Sequence, residues 1–172
     1  EGEVCRFSYR EFDEIVGRVA ATLAARGVGL GDADHLCLRN CPAFIAVWLA
    51  AARIGAWIVP VDPASTPRDI ESQLARTRPT LGICATDRRD VYLPAAAAAG
   101  VPVIELSESV TDVVAGSVLL ASEPWLGSSP AAESDRLAVM FTSGTTSQPK
   151  GVVLTQRNYA HVARTMAGAA RL

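Results

Sequence analysis

The rhythm of hydrophobic and polar positions changes several times along the chain, and each change marks an element. Ser8, Tyr9, Arg10 and Glu11 have the form of a capping box, in which the serine hydroxyl accepts from the third helical amide and the glutamate reaches back to the serine amide. Phe12, Ile15, Val16, Val19, Ala20 and Leu23 then recur at helical spacing. Asp13, Glu14, Arg18 and Thr22 fall to the other face, and Gly27 supplies a left-handed stop. His35 to Arg39 reads as a short strand, and Asn40 and Pro42 start a second helix that Gly55 ends. Trp57 to Val61 is apolar at consecutive positions, as in a strand covered on both faces. Thr66-Pro67 opens a third helix to about Thr77, and Leu81 to Ala85 is again strand. An alanine-rich helix around Tyr92 to Ala99 ends at Gly100, before a strand from Val101 to Leu106. Pro79 and Pro102 sit at element edges, where a missing amide costs little.

The rhythm fades from Ser107 to Asp135, where residues 127–134 read as an exposed loop. It returns with Leu137 to Phe141 and Gly151 to Leu154 as strands, and with Thr155 as the cap of a helix carrying Tyr159, Val162, Ala163 and Met166. Alternating strand and helix predict an α/β fold, a parallel sheet with flanking helices joined by right-handed crossovers. Three stretches are expected: an alternating unit over 1–106, a linker over 107–136, and strand, loop, strand and helix over 137–172.

Composition narrows the partners. The 172 residues carry a net charge of −2 and are 49% hydrophobic and 20% charged, which excludes disorder and fibrous character. Basic residues are scattered, so neither a nucleic-acid groove nor an anionic-membrane patch is expected. The apolar run from Ala43 to Ala52 is closed by Arg53 and is about half of the ~20 residues a bilayer span needs, so it reads as a buried helix and no transmembrane segment is expected. Glu1-Gly2-Glu3 carries no export signal. Cys5, Cys37, Cys41 and Cys84 form no C-x-x-C pair, and His35 and His161 stand isolated. Buried free thiols in a reducing cytoplasm are therefore expected, with neither a zinc site nor a catalytic triad. Arg88-Arg89-Asp90 reads as a solvated turn, and Trp48, Trp57 and Trp125 as packing residues. Of the sixteen basic side chains, Lys150 is the single lysine.

That lysine closes the segment Thr142-Ser143-Gly144-Thr145-Thr146-Ser147-Gln148-Pro149-Lys150-Gly151. Hydroxyls and free amides donate to phosphate oxygens, Gly144 permits close backbone approach, and an ammonium adds a compact charge. A Walker A loop is excluded because Lys150 is followed by Gly151 rather than Ser or Thr, and no G-x-G-x-x-G opens a helix.

Phe141 through Val152 resembles the phosphate-loop signature of the adenylate-forming superfamily, which includes acyl-CoA synthetases, aryl-CoA ligases, luciferases and peptide-synthetase adenylation domains. The resemblance continues, in order, at Phe7-Ser8-Tyr9-Arg10-Glu11, Gly31-Asp32, Asn40-Cys41-Pro42 and Gly55 through Pro63. Asn40-Cys41-Pro42 taken with Phe141 through Ser147 is most similar to the carnitine and crotonobetaine CoA-ligase branch. The sequence departs from the family at Ala43, where glutamate is usual, at Asp34, where an apolar strand residue is usual, and at Gln156, where histidine is common.

The resemblance implies an enzyme that joins a carboxylic acid to ATP, releasing pyrophosphate, and passes the acyl group from acyl-AMP to coenzyme A, with Mg2+ bridging the phosphates. It implies that Thr142, Ser143, Gly144, Thr145, Thr146, Ser147 and Lys150 bind the nucleotide phosphates, with no nucleophile and no metal ligand in this segment. In relatives the Mg2+-holding glutamate, the ribose-holding aspartate, the acyl pocket and the mobile C-terminal domain lie beyond the point matching Leu172. The segment is therefore expected to be the first part of the large N-terminal domain and to be silent alone. Two alternatives stay open: an adenylation domain loading a carrier-protein thiol, and a stand-alone nucleotide-binding module without chemistry.

Overall fold

A computed structural model describes residues 6–107, 118–120, 123–142 and 149–170. Among the described residues five α-helices, α1 (Tyr9–Ala25), α2 (Pro42–Ile54), α3 (Pro67–Thr77), α4 (Arg89–Ala99) and α5 (Gln156–Ala170), surround a six-stranded sheet. The strands are β1 (Ala33–Cys37), β2 (Trp57–Pro60), β3 (Leu81–Ala85), β4 (Val103–Leu106), β5 (Arg136–Thr142) and β6 (Lys150–Thr155), in the spatial order β4-β3-β1-β2-β5-β6. The first five are parallel and β6 returns antiparallel to β5. The expected parallel α/β sheet is present, with one antiparallel edge strand that periodicity did not distinguish.

Helix ends follow local chemistry. Ser8 and Glu11 form the reciprocal capping box of α1, and Thr66 and Asp69 form that of α3. These hydroxyl and amide bonds hold the Glu11 and Asp69 carboxyls below their ordinary range. At the far end of α1, Gly27 adopts φ +87°, its amide bonding the Ala24 carbonyl and that of Val28 the Leu23 carbonyl, the paired bonds of a Schellman ending. Gly55 and Gly100 close α2 and α4 in the left-handed conformation. The N-cap of α2 is Cys41 rather than Asn40, and its side chain does not cap the helix.

Side chains alternate between two covered faces. Leu36, Ile58, Leu81, Ile83 and Ala138 pack with α1 and α2, whereas Cys37 and Cys84 pack with Ile70 and Leu74 of α3 and Tyr92 of α4. The sheet is thus doubly covered from β4 to β5, which is why its strands are apolar at consecutive positions. Cys37, Cys41 and Cys84 are buried, as expected, and Cys5 lies outside the described residues.

Three expectations need correction. Thr22, assigned to the polar face, is buried because its hydroxyl donates to the Leu119 carbonyl at 2.9 Å. Leu119 itself, placed by the sequence in a linker, is fully buried beside α1. Arg88 closes a short 3-10 turn, and Arg89 and Asp90 begin α4 instead of forming a solvated turn. Arg89 Nε there lies 3.6 Å from Glu105 of β4.

Candidate functional site at the mouth of the β5–β6 hairpin

β5 is buried through Leu137, Ala138 and Val139, then emerges at Phe141 and Thr142 on the side of the sheet where the other parallel strands end. β6 enters there and runs back beside it, pairing Thr142 with Lys150 and Phe141 with Gly151. Directly opposed residues of an antiparallel pair point to the same face and lie ~4.5–5.5 Å apart. The Thr142 hydroxyl and the Lys150 ammonium therefore share one face at the mouth, and both residues are exposed. Of the seven predicted site residues, the structure brings these two together. Ser143, Gly144, Thr145, Thr146 and Ser147 lie outside the described residues.

Local packing explains why the strands meet closely at this point. A Cβ at Gly151 would stand 3.2 Å from Val139 Cγ1 and 3.5 Å from the Phe141 ring, so the missing side chain leaves the facing strand room to fill. Arg76, in the last turn of α3, lies 4.8 Å from the centre of the Phe141 ring and donates from Nη1 to the Pro149 carbonyl at 2.7 Å. The sequence gives no signal for this residue, an exposed helical arginine 73 positions from its partner.

The same carboxyl edge carries two shallow clefts. One, of about 410 Å3, is lined by Leu38, Arg39, Asn40, Phe44, Pro60 and Asp62; its neighbour, of about 370 Å3, adjoins Arg39, Thr86, Asp87 and Ser107. Arg39 pairs with Asp87 at 2.6 Å. β1 connects to β2 on one side while β3 returns on the other, so the second cleft, at the ends of β1 and β3, stands at a topological switch point, where open α/β sheets receive ligands.

The strongly perturbed titratable groups lie inside the sheet. Asp34 is fully buried with neither carboxyl oxygen bonded, and desolvation, with Asp32 adding, pushes its pKa up to about 8. Its neighbour His35 is not isolated as expected: Nδ1 lies 2.8 Å from the Tyr92 hydroxyl. Burial, weakly opposed by the Gln73 side chain, brings the imidazole down to about 4 and keeps it neutral. Gly82 makes room for that phenol, since a Cβ there would lie 2.6 Å from the Tyr92 oxygen. Burial, with Cys37 adding, pushes the Cys84 thiol up to about 12, which makes it inert. Gln156 borders an apolar groove between α2 and α5, its side-chain nitrogen buried without a partner. Among the described residues no group of three or more His, Cys, Asp or Glu could hold a metal ion, and no helix is long and apolar enough to cross a membrane.

The fold agrees with the comparisons. The family model described as AMP-binding enzyme matches residues 2–171. The chain is 34% identical over 155 residues to 4-coumarate–CoA ligase 3 of Oryza sativa subsp. japonica, covering 88% of this chain and 27% of that protein. It is 31% identical over 167 residues to the crotonobetaine/carnitine–CoA ligase of Proteus mirabilis, covering 92% and 32%. The crystal structure of ATP-bound MatB from Rhodopseudomonas palustris superposes with a TM-score of 0.82 at 27% identity, over 94% of this chain and 32% of that one. The chain thus spans about a third of the length of the relatives it matches. With a family match over nearly every residue and the doubly covered sheet and β5–β6 hairpin in place, the chain belongs to the AMP-binding enzyme family.

Proposed function

We propose that this chain is part of an ATP-dependent carboxylate–CoA ligase and supplies its phosphate-binding loop. One observation carries the reading: the hairpin sets the chain's single lysine opposite Thr142, at the ends of the loop whose sequence matches the family signature. In the proposed complex the Thr142 hydroxyl donates to a phosphate oxygen and the Lys150 ammonium neutralises the charge that gathers on the departing pyrophosphate. Ser143, Gly144, Thr145, Thr146 and Ser147 contribute hydroxyl and amide donors by the same resemblance. These residues bind and orient, while the attacking atom is the carboxylate oxygen of the acid. The named curated relatives both carry CoA in their activity, which favours coenzyme A over a carrier-protein thiol as acceptor. Mg2+, when bound, would neutralise the phosphates; the described residues present no group of three or more His, Cys, Asp or Glu to hold it.

Carboxylate-dependent ATP–pyrophosphate exchange by the full-length protein, followed by thioester formation on adding CoA, tests the reading. Exchange without CoA thioester would move it to carrier-protein loading. Nucleotide binding without exchange for any carboxylate tried would favour a non-catalytic module. The isolated 172 residues are expected to show no exchange.

A further inference from the structure

The Arg76 guanidinium touches β5 and the residue that leads into β6, at the mouth of the hairpin. Arg76 stacks over Phe141, the residue before Thr142, and donates to the carbonyl of Pro149, the residue before Lys150. A planar cation suits both contacts, one over a ring face and one in the plane of its N–H groups. Its base is firm: α3 is capped by Thr66 and Asp69 and anchored through the buried Ile70 and Leu74.

The mouth has reason to need such a strut. β6 is the edge strand, Gly151 offers no side chain, and Val152 and Val153 are about half exposed. Other ties from this end of the chain lie at the opposite end of the hairpin, where the Gln156 amide bonds the Asp135 carbonyl and Arg157 bonds Glu133 through both backbone and side chain. Arg76 therefore links the helical layer to the end of the hairpin that carries Lys150.

We propose that Arg76 is a positioning residue for the phosphate-binding mouth, holding the entry of β6 against β5 so that Lys150 stays opposite Thr142. The inference rests on the phosphate-loop reading above and assigns Arg76 no contact with the nucleotide.

In the full-length protein, Arg76→Ala is expected to raise KM for ATP about tenfold, the worth of one charged hydrogen bond, and to slow adenylation in the same direction as Lys150→Ala. Arg76→Lys keeps a donor for the Pro149 carbonyl and is expected to recover part of the loss. Added to Lys150→Ala, Arg76→Ala is expected to do no further harm, because it acts through that lysine. Hydrogen exchange of Arg76→Ala should quicken in peptides covering 149–152 and stay unchanged in those covering 153–156. An unchanged KM for ATP in Arg76→Ala, with Lys150→Ala impaired, overturns this inference and leaves the phosphate-loop reading standing. Full additivity of the two substitutions, or exchange quickened equally at both ends of the hairpin, also overturns it. A Lys150→Ala protein with normal ATP dependence removes both.

Discussion

The two ends of this sheet solve different problems. From β4 to β5 the sheet is covered twice, and α2 alone buries Ala43, Phe44, Ala46, Val47, Ala50, Ala51 and Ile54. At the other end α5 buries none of its described residues, with Val162 and Met166 more than half exposed, and β6 leaves Val152 and Val153 open. The chemistry-bearing residues lie at the open end. The alternating unit carries most of the buried core, β5 joins it through Leu137, Ala138 and Val139, and β6 is held by its pairing with β5 and by Arg76 from α3.

The same kind of truncation in each region is the coarsest way to break that comparison. Tyr92→Ala removes a fully buried ring and should cost about 3–5 kcal/mol in chemical denaturation. Met166→Ala removes a side chain on a residue that is 66% exposed and should cost less than about 0.5 kcal/mol. Similar losses for the two would mean that α5 is covered in the folded protein and that the contrast is false.

The buried pair Asp34 and His35 sharpens the stable side. The folded pKa of Asp34 is raised from 3.8 to about 8, so the folded state holds its proton longer than the unfolded chain does. Stability should therefore fall as pH rises across that window and level off above it, at a slope of at most ~1.4 kcal/mol per pH unit. His35 is lowered from 6.5 to about 4, so its contribution is lost as pH falls through that range. The two slopes oppose each other below pH 6.5, leaving a net decline from there to about 8. Asp34→Val should abolish the alkaline decline and expose the acidic one in a denaturant series at several pH values. A parent protein equally stable at both ends of the alkaline window would show that Asp34 is not buried in its acid form.

Smaller effects come from the caps. Thr66→Ala removes the N-cap of α3 and should cost about 1 kcal/mol. Thr155→Ala breaks the equivalent exchange with Asn158, yet should lower the global transition less, because α5 adds little burial to it. Equal shifts of the denaturation midpoint would place α5 inside the main cooperative unit.

Much of this architecture was legible locally. The capping box at Ser8, the helix start at Thr66-Pro67, the apolar strand at Leu81–Ala85 and the glycine stops at Gly27, Gly55 and Gly100 are decided by neighbours in sequence, and they stand where spacing put them. What was not legible depends on partners far along the chain. Thr22 turns inward because the Leu119 carbonyl is there to accept its hydroxyl, and His35 gains Tyr92 across the sheet from 57 residues away. The antiparallel direction of β6 follows from the short connection back to β5, which apolar periodicity does not encode. At the candidate site, the residue types from Thr142 to Lys150 were readable as a phosphate loop, but the opposition of those two residues and the reach of Arg76 belong to tertiary structure.

In the proposed enzyme the hairpin mouth receives the phosphates of ATP through Lys150. Carboxylate-dependent ATP–pyrophosphate exchange, measured against ATP concentration for the full-length protein and its Lys150→Ala variant, tests it most directly. A higher apparent KM for ATP and slower adenylation are expected in the variant, with thermal stability unchanged because Lys150 is exposed. Identical exchange kinetics in the two proteins would contradict it.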